Sequence, residues 1–130
     1  MSELKSQNHS SDLKAHVKYR AYRFSLDVIM LVKDFPHDRI YAIFTDQLLR
    51  SATSIGANLV EAKSSSSKRE FIKYYEISLK SCNETLYWFC LLRDSKLSTK
   101  ETITPLLDEA EQLSKMISAS LLTMKGKKKF

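Results

Sequence analysis

Apolar residues recur along this chain in steps of three and four. Val17, Ala21, Phe24, Val28, Leu31 and Phe35 step by 4, 3, 4, 3, 4, which puts them on one side of an α-helix. The pattern predicts a helix from roughly Leu13 to Phe35. Pro36 ends it, because a proline pushes the residue before it out of the helical region. A second seam, Tyr41, Phe44, Leu48, Ala52, Ile55, Leu59 and Ala62, predicts a helix from about Asp38 to Ala62, with Asp38 as its N-cap. Gly56 interrupts this seam at a cost of about 1 kcal/mol relative to Ala; close approach of another helix would explain it. Lys63-Ser64-Ser65-Ser66-Ser67 reads as a loop. Ser67 and Glu70 have capping-box spacing and open a third helix, about Lys68 to Arg93.

The third helix carries two apolar seams. One is Phe71, Tyr75, Ser78, Cys82, Thr85, Phe89 and Leu92. The other is Ile72, Leu79 and Leu86, widened by Trp88, Cys90 and Leu91. One seam suffices for a bundle core, so two predict either a central helix or a face that meets another subunit. The last seam, Ile103, Leu106, Ala110, Leu113, Ile117, Ser120 and Met124, predicts a fourth helix within Ser98 to Met124. Two starts are open. Ser98 and Glu101 form a capping-box pattern, and Thr104-Pro105 would place proline at the first helical position. Helices of this length joined by short links predict an all-α, antiparallel up-down-up-down four-helix bundle. Residues 1–12 read as a flexible polar arm, 13–124 as the bundle and 125–130 as a basic tail.

Composition agrees with few turns: 130 residues contain only two Gly and two Pro. Length fits one domain. The net charge is +6, and Lys125, Lys127, Lys128 and Lys129 supply a large part of it. Cys82 and Cys90 lie eight residues apart on one helix, about 12 Å, too far for a disulfide. They read as buried thiols in a reducing compartment. The polar first residues are no signal peptide and no apolar run has membrane-spanning length, so a cytoplasmic protein without a membrane partner is expected.

Candidate chemistry is sparse. His9, His16 and His37 lie in the N-terminal third and none follows a Glu at three residues, so the Glu-x-x-His pairs of a di-metal bundle are missing. No nucleophile elbow, paired Cys and His, or glycine-rich phosphate loop occurs. The reading is a non-catalytic protein with neither metal nor cofactor. Gln47, Arg50, Ser54, Asn58 and Glu61 share one stripe of the second helix, and Ser81 and Glu84 lie one turn apart on the third. These residues read as a satisfied hydrogen-bond layer that fixes helix register. Arg69, Lys73 and Lys80 fall within about 40° on a helical wheel, with Glu76 among them. The first helix adds Lys14, Lys18, Arg20 and Arg23, interleaved with Tyr19 and Tyr22. Arg69, Lys73, Lys80, Lys125, Lys127, Lys128 and Lys129 are the candidates for contact with nucleic-acid phosphates. An acidic protein partner for the same surface is the alternative.

The segment Gln47-Leu-Leu-Arg50-Ser51-Ala-Thr-Ser54-Ile55-Gly56-Ala57-Asn58-Leu59-Val-Glu61 resembles a helical signature of the four-helix bundle proteins encoded by intervening sequences of large-subunit ribosomal RNA genes. Ser81-x-x-Glu84, Phe35-Pro36 and Glu70-Phe71 are similar to that family as well. Ala62 stands where the family usually has Gly, and Ser51 where Ala is commoner. The resemblance implies a homo-oligomer, a ring of five bundles. It extends to the accessory protein of diversity-generating retroelements, which implies RNA or DNA and a reverse transcriptase or other protein as partners. It also implies that the second seam of the third helix is a subunit interface.

Overall fold

The computed structural model describes residues 13–126; the expected arm 1–12 and Lys127, Lys128 and Lys129 lie outside them. Four helices are present: α1 Leu13–Val32, α2 Arg39–Lys63, α3 Lys68–Asp94 and α4 Lys100–Gly126. α1 and α3 each pack against both α2 and α4, so the helices occupy the corners of a square. Contacts give the directions. Ser25 reaches the Ala52 carbonyl while Ala21 faces Gly56. Ser78 donates to the Ile55 carbonyl and Thr85 to Ser51. Ser114 meets Asn83 while Lys125 meets Glu76. Within each pair of helices the numbers run in opposite senses, so neighbours are antiparallel.

The predicted seams form the core. Val17, Ala21, Phe24 and Val28 are buried on α1; Leu48, Ala52, Ile55, Leu59 and Ala62 on α2; Tyr75, Cys82, Phe89 and Leu92 on α3; Ile103, Ala110, Leu113, Ile117 and Met124 on α4. Gly56 has its reason: a Cβ there would stand 3.4 Å from the Ala21 Cβ, so α1 crosses α2 at this point. Much of the second seam of α3 is used inside the chain, while Leu91 is exposed. Ile72 is buried, and Leu79, Leu86 and Trp88 pack against the same core, because α3 is flanked by two helices and needs apolar surface on both sides.

Helix ends depart from expectation by a few residues. α1 stops at Val32. Its last amides then tighten to bonds three residues back, Asp34 to Leu31 and Phe35 to Val32, before Pro36. Asp38 caps α2 by accepting the Tyr41 N–H at 3.0 Å. With Ala62 where a glycine would permit a left-handed stop, α2 closes on Ser64 at φ −90°. The Ser65 amide and hydroxyl both donate to the Ala62 carbonyl, supplying the orphan acceptor of the last turn. Ser67 caps α3 through the Glu70 N–H, and Glu70 answers on the Ser66 N–H. α4 uses neither expected start. Thr99 caps it, accepting the Thr102 N–H at 3.1 Å, and Pro105 lies inside the helix. α3 ends with Lys96 at φ 63°, a left-handed position that glycine usually fills.

Candidate nucleic-acid interface

Antiparallel threading gives the bundle two unlike ends. One holds the α1–α2 and α3–α4 loops, fastened together by the Tyr41 hydroxyl, which donates to the Leu97 carbonyl at 2.6 Å. There Lys33, Arg39, Arg93, Lys96 and Lys100 are offset by Asp34, Asp38, Asp46, Asp94 and Glu101, and Lys33–Asp34 and Arg93–Asp94 are ion pairs. The other end gathers the start of α1, the end of α2, the α2–α3 loop, the start of α3 and the end of α4. It carries Lys18, Lys63, Lys68, Arg69, Lys73 and Lys125 against Glu61, Glu70 and Glu76. Glu70 is engaged at the α3 cap and Glu76 by Lys125. This end is a basic pole.

The candidate phosphate-contacting residues divide accordingly. Arg69 and Lys73 are exposed at the basic pole, and Lys80 is exposed two turns further along α3. Lys125 is also exposed but is held by Glu76. Of the cations on α1, Arg20 is a structural tie: its Nε and Nη2 donate to the two Glu109 carboxylate oxygens of α4 at 2.9 and 2.6 Å, a bidentate fork. Arg23 donates to the Tyr19 hydroxyl and lies over its ring, 5.9 Å from the centroid. Sequence reasoning passed over Lys63 and Lys68, which sit on either side of the serine loop; only the fold brings them beside Lys18 and Lys73.

The expected polar layer is not inside the bundle. Arg50 and Glu61 are exposed, and Gln47, Ser54, Asn58 and Glu84 are half-buried. They form a rim along the outer side of the α2–α3 seam. Arg50 donates to Gln47 and Glu84, and the Trp88 indole N–H donates to the same Glu84 oxygen at 3.0 Å. Asn58 donates to the Ser54 carbonyl and hydroxyl. Ser81 is buried, but its hydroxyl turns to the Ile77 carbonyl. The layer inside the seam consists of Ser51, Ser78 and Thr85, all fully buried. Thr85 Oγ1 donates to Ser51 Oγ at 2.9 Å, and Ser78 Oγ donates to the Ile55 carbonyl at 2.8 Å. No buried side-chain N or O among the described residues lacks a partner.

The Arg50 and Trp88 hydrogen bonds hold the Glu84 carboxyl below its ordinary pKa. A carboxylate lowered by folding stabilises above its unfolded pKa, and that stabilisation is lost as pH falls through the lowered value. Glu84 is about a third exposed, so solvent screening limits the pair to about 0.2–1 kcal/mol. Glu84→Gln is therefore expected to lower stability by that amount at pH 7. Urea midpoints at pH 7 and at a pH acidic enough to protonate Glu84 should show wild type and variant converging at the lower pH. An equal gap at both pH values would mean that packing, not charge, is what Glu84 contributes.

Cys82 is buried, and burial pushes its thiol up to about 12, so it is protonated and inert at neutral pH. No helix among the described residues is long and apolar enough to cross a membrane.

Comparison with known proteins agrees with this architecture. A crystal structure of a protein of unknown function from the S23 ribosomal protein family of Bacteroides thetaiotaomicron VPI-5482 superimposes with a TM-score of 0.79. It is 30% identical, and the match covers 84% of this chain and 97% of that one. No curated protein gives a significant match. The model of the 23S rRNA-intervening sequence proteins matches residues 13–119, nearly the whole bundle, and the chain belongs to the 23S rRNA-intervening sequence protein family.

Proposed function

We propose that this protein is a homo-oligomeric scaffold that binds nucleic acid, structured RNA above all, by contacting phosphates with its basic pole. The observation that carries the reading is the convergence of cations from all four helices on one end, while the other end is balanced. A one-sided positive field attracts a polyanion and orients it on approach. Lys and Arg contacts to phosphate need no base readout, which fits a surface without a groove-entering element. Lys127, Lys128 and Lys129 follow α4 directly in sequence and extend the same charge. Support for self-association lies on α1, where Tyr22, Leu26, Ile29 and Met30 are 41–58% exposed at helical spacing, a grouping of large apolar side chains of the kind that marks an interaction surface.

The test is fluorescence anisotropy of a labelled structured RNA with the intact chain across a salt series, with sedimentation of the free protein alongside. The expected result is an assembly larger than one chain, with affinity falling linearly on a log–log salt plot. Absence of RNA binding at low salt would favour the adaptor reading, in which the same pole meets an acidic protein. Preference for duplex DNA over RNA at equal salt would reassign the ligand.

A further inference from the structure

The bundle places two ammonium groups at one end where no carboxylate among the described residues forms an ion pair with them. α1 and α2 approach closely at Ala21 and Gly56. One turn before Ala21 stands Lys18, half-buried, and two turns after Gly56 stands Lys63. Both face the same end of the antiparallel pair, and partial burial first, then the Lys63 charge, hold the Lys18 ammonium below its ordinary value. Neither residue has an ion pair with a carboxylate among the described residues, although Arg20, Arg50, Arg93 and Lys125 all do.

Lys63 also lines a cleft of about 480 Å³ with Ser65, Ser66, Ser67, Lys68 and Phe71. No acid lines it. The Ser65 and Ser67 hydroxyls are committed to the ends of α2 and α3. The exposed Ser66 hydroxyl makes no bond among the described residues. Lys18, Lys63, Lys68 and Ser66 thus present donors from α1, α2, α3 and the loop between them, and like charges held in contact repel unless an anion lies between them. Lysines are compact point charges with three donors each, able to serve the several oxygens of a phosphate.

We propose that Lys18 and Lys63, with Lys68 and the Ser66 hydroxyl beside them, form a phosphate subsite that seats one backbone phosphate of the bound nucleic acid. The proposal rests on the nucleic-acid reading for the source of the phosphate, but its chemistry is testable without RNA. The intact chain is titrated with inorganic phosphate at constant ionic strength. Amide and lysine side-chain NMR signals and the thermal midpoint are followed. The expected result is saturable shifts centred on Lys18, Lys63, Ser66 and Lys68, and a midpoint that rises with phosphate because the anion binds only the folded chain.

Lys63→Gln should abolish both effects. It should also raise the phosphate-free midpoint, since it removes the repulsion with Lys18; a purely structural lysine would not give that combination. Lys80→Gln should change neither. Shifts spread without saturation over all surface lysines would overturn the subsite, as would equal displacement by a poly-glutamate peptide at lower concentration. RNA affinity unchanged in Lys63→Gln would overturn it and leave the nucleic-acid reading standing. Phosphate saturation without RNA binding would uphold the subsite for a free phosphate and remove the nucleic-acid reading.

Discussion

Phe89→Ala is expected to destabilise the bundle by about 3–5 kcal/mol, the usual cost of removing a buried ring. Phe89 is fully buried and meets Phe24 edge-on, with ring centroids 6.3 Å apart at 81°. α1 and α3 stand at opposite corners of the square, so this ring pair crosses the centre of the core, and no neighbour can collapse into the space from one side. The aromatic contact adds roughly 0.5–1.5 kcal/mol beyond burial. A domain of this size has a total stability of about 5–15 kcal/mol, so the variant should lose about a fifth of it or more, with a thermal midpoint lower by about 10–20 °C. Tyr87, two residues away, is 59% exposed; Tyr87→Ala should stay within about 0.5 kcal/mol. Urea unfolding of both variants checks the pair. A loss below about 1 kcal/mol for Phe89→Ala would mean that the core tolerates the cavity, and that the Phe24 contact contributes little.

The same contrast explains which features were legible in the sequence. Burial selects apolar side chains at helical spacing, so Val17, Ala21, Phe24 and Val28, or Leu48 through Ala62, could be assigned to the core without coordinates. The family signature was legible too, and the family match covers most of the bundle. Polar residues in the core were harder. Ser51 looked like a mild replacement for alanine, yet its hydroxyl accepts from Thr85, a partner 34 residues away whose facing position no single-helix periodicity can specify. The stripe Gln47, Arg50, Ser54 and Glu61 lies about a third of a turn from the centre of the seam on a helical wheel. That is the difference between a buried layer and a wet rim. Arg20 read as surface charge because its partner Glu109 is 89 residues away. Helix ends shifted where local hydroxyls compete as caps, as Thr99 did beside Ser98.

The basic pole was the least legible feature and has the largest functional consequence. Arg69 and Lys73 share a face of α3 that the sequence shows, with Lys68 at its start, but only antiparallel threading brings Lys18 and Lys63 to the same end. If they contact about five phosphates, affinity should fall roughly 10²–10³-fold between 50 and 200 mM salt, since the log–log slope is about −0.9 per phosphate for a duplex and about −0.7 for a single strand. Changing all five to glutamine should flatten that slope by about 3.5–4.5 and leave the fold intact, because each is at the surface and none carries an ion pair among the described residues. Changing Arg39, Lys96 and Lys100 at the opposite end should leave the slope within experimental scatter. That control separates a localised pole from net charge, since both sets of substitutions lower the total charge. Equal flattening by the two sets would mean that RNA responds to the overall field of the protein. A slope that survives both sets, but disappears on removal of Lys127–Lys129, would place the contacts in the tail. Flattening by the pole alone would tie binding to the one end of the bundle where α1, α2 and α3 bring together cations without an ion pair among the described residues.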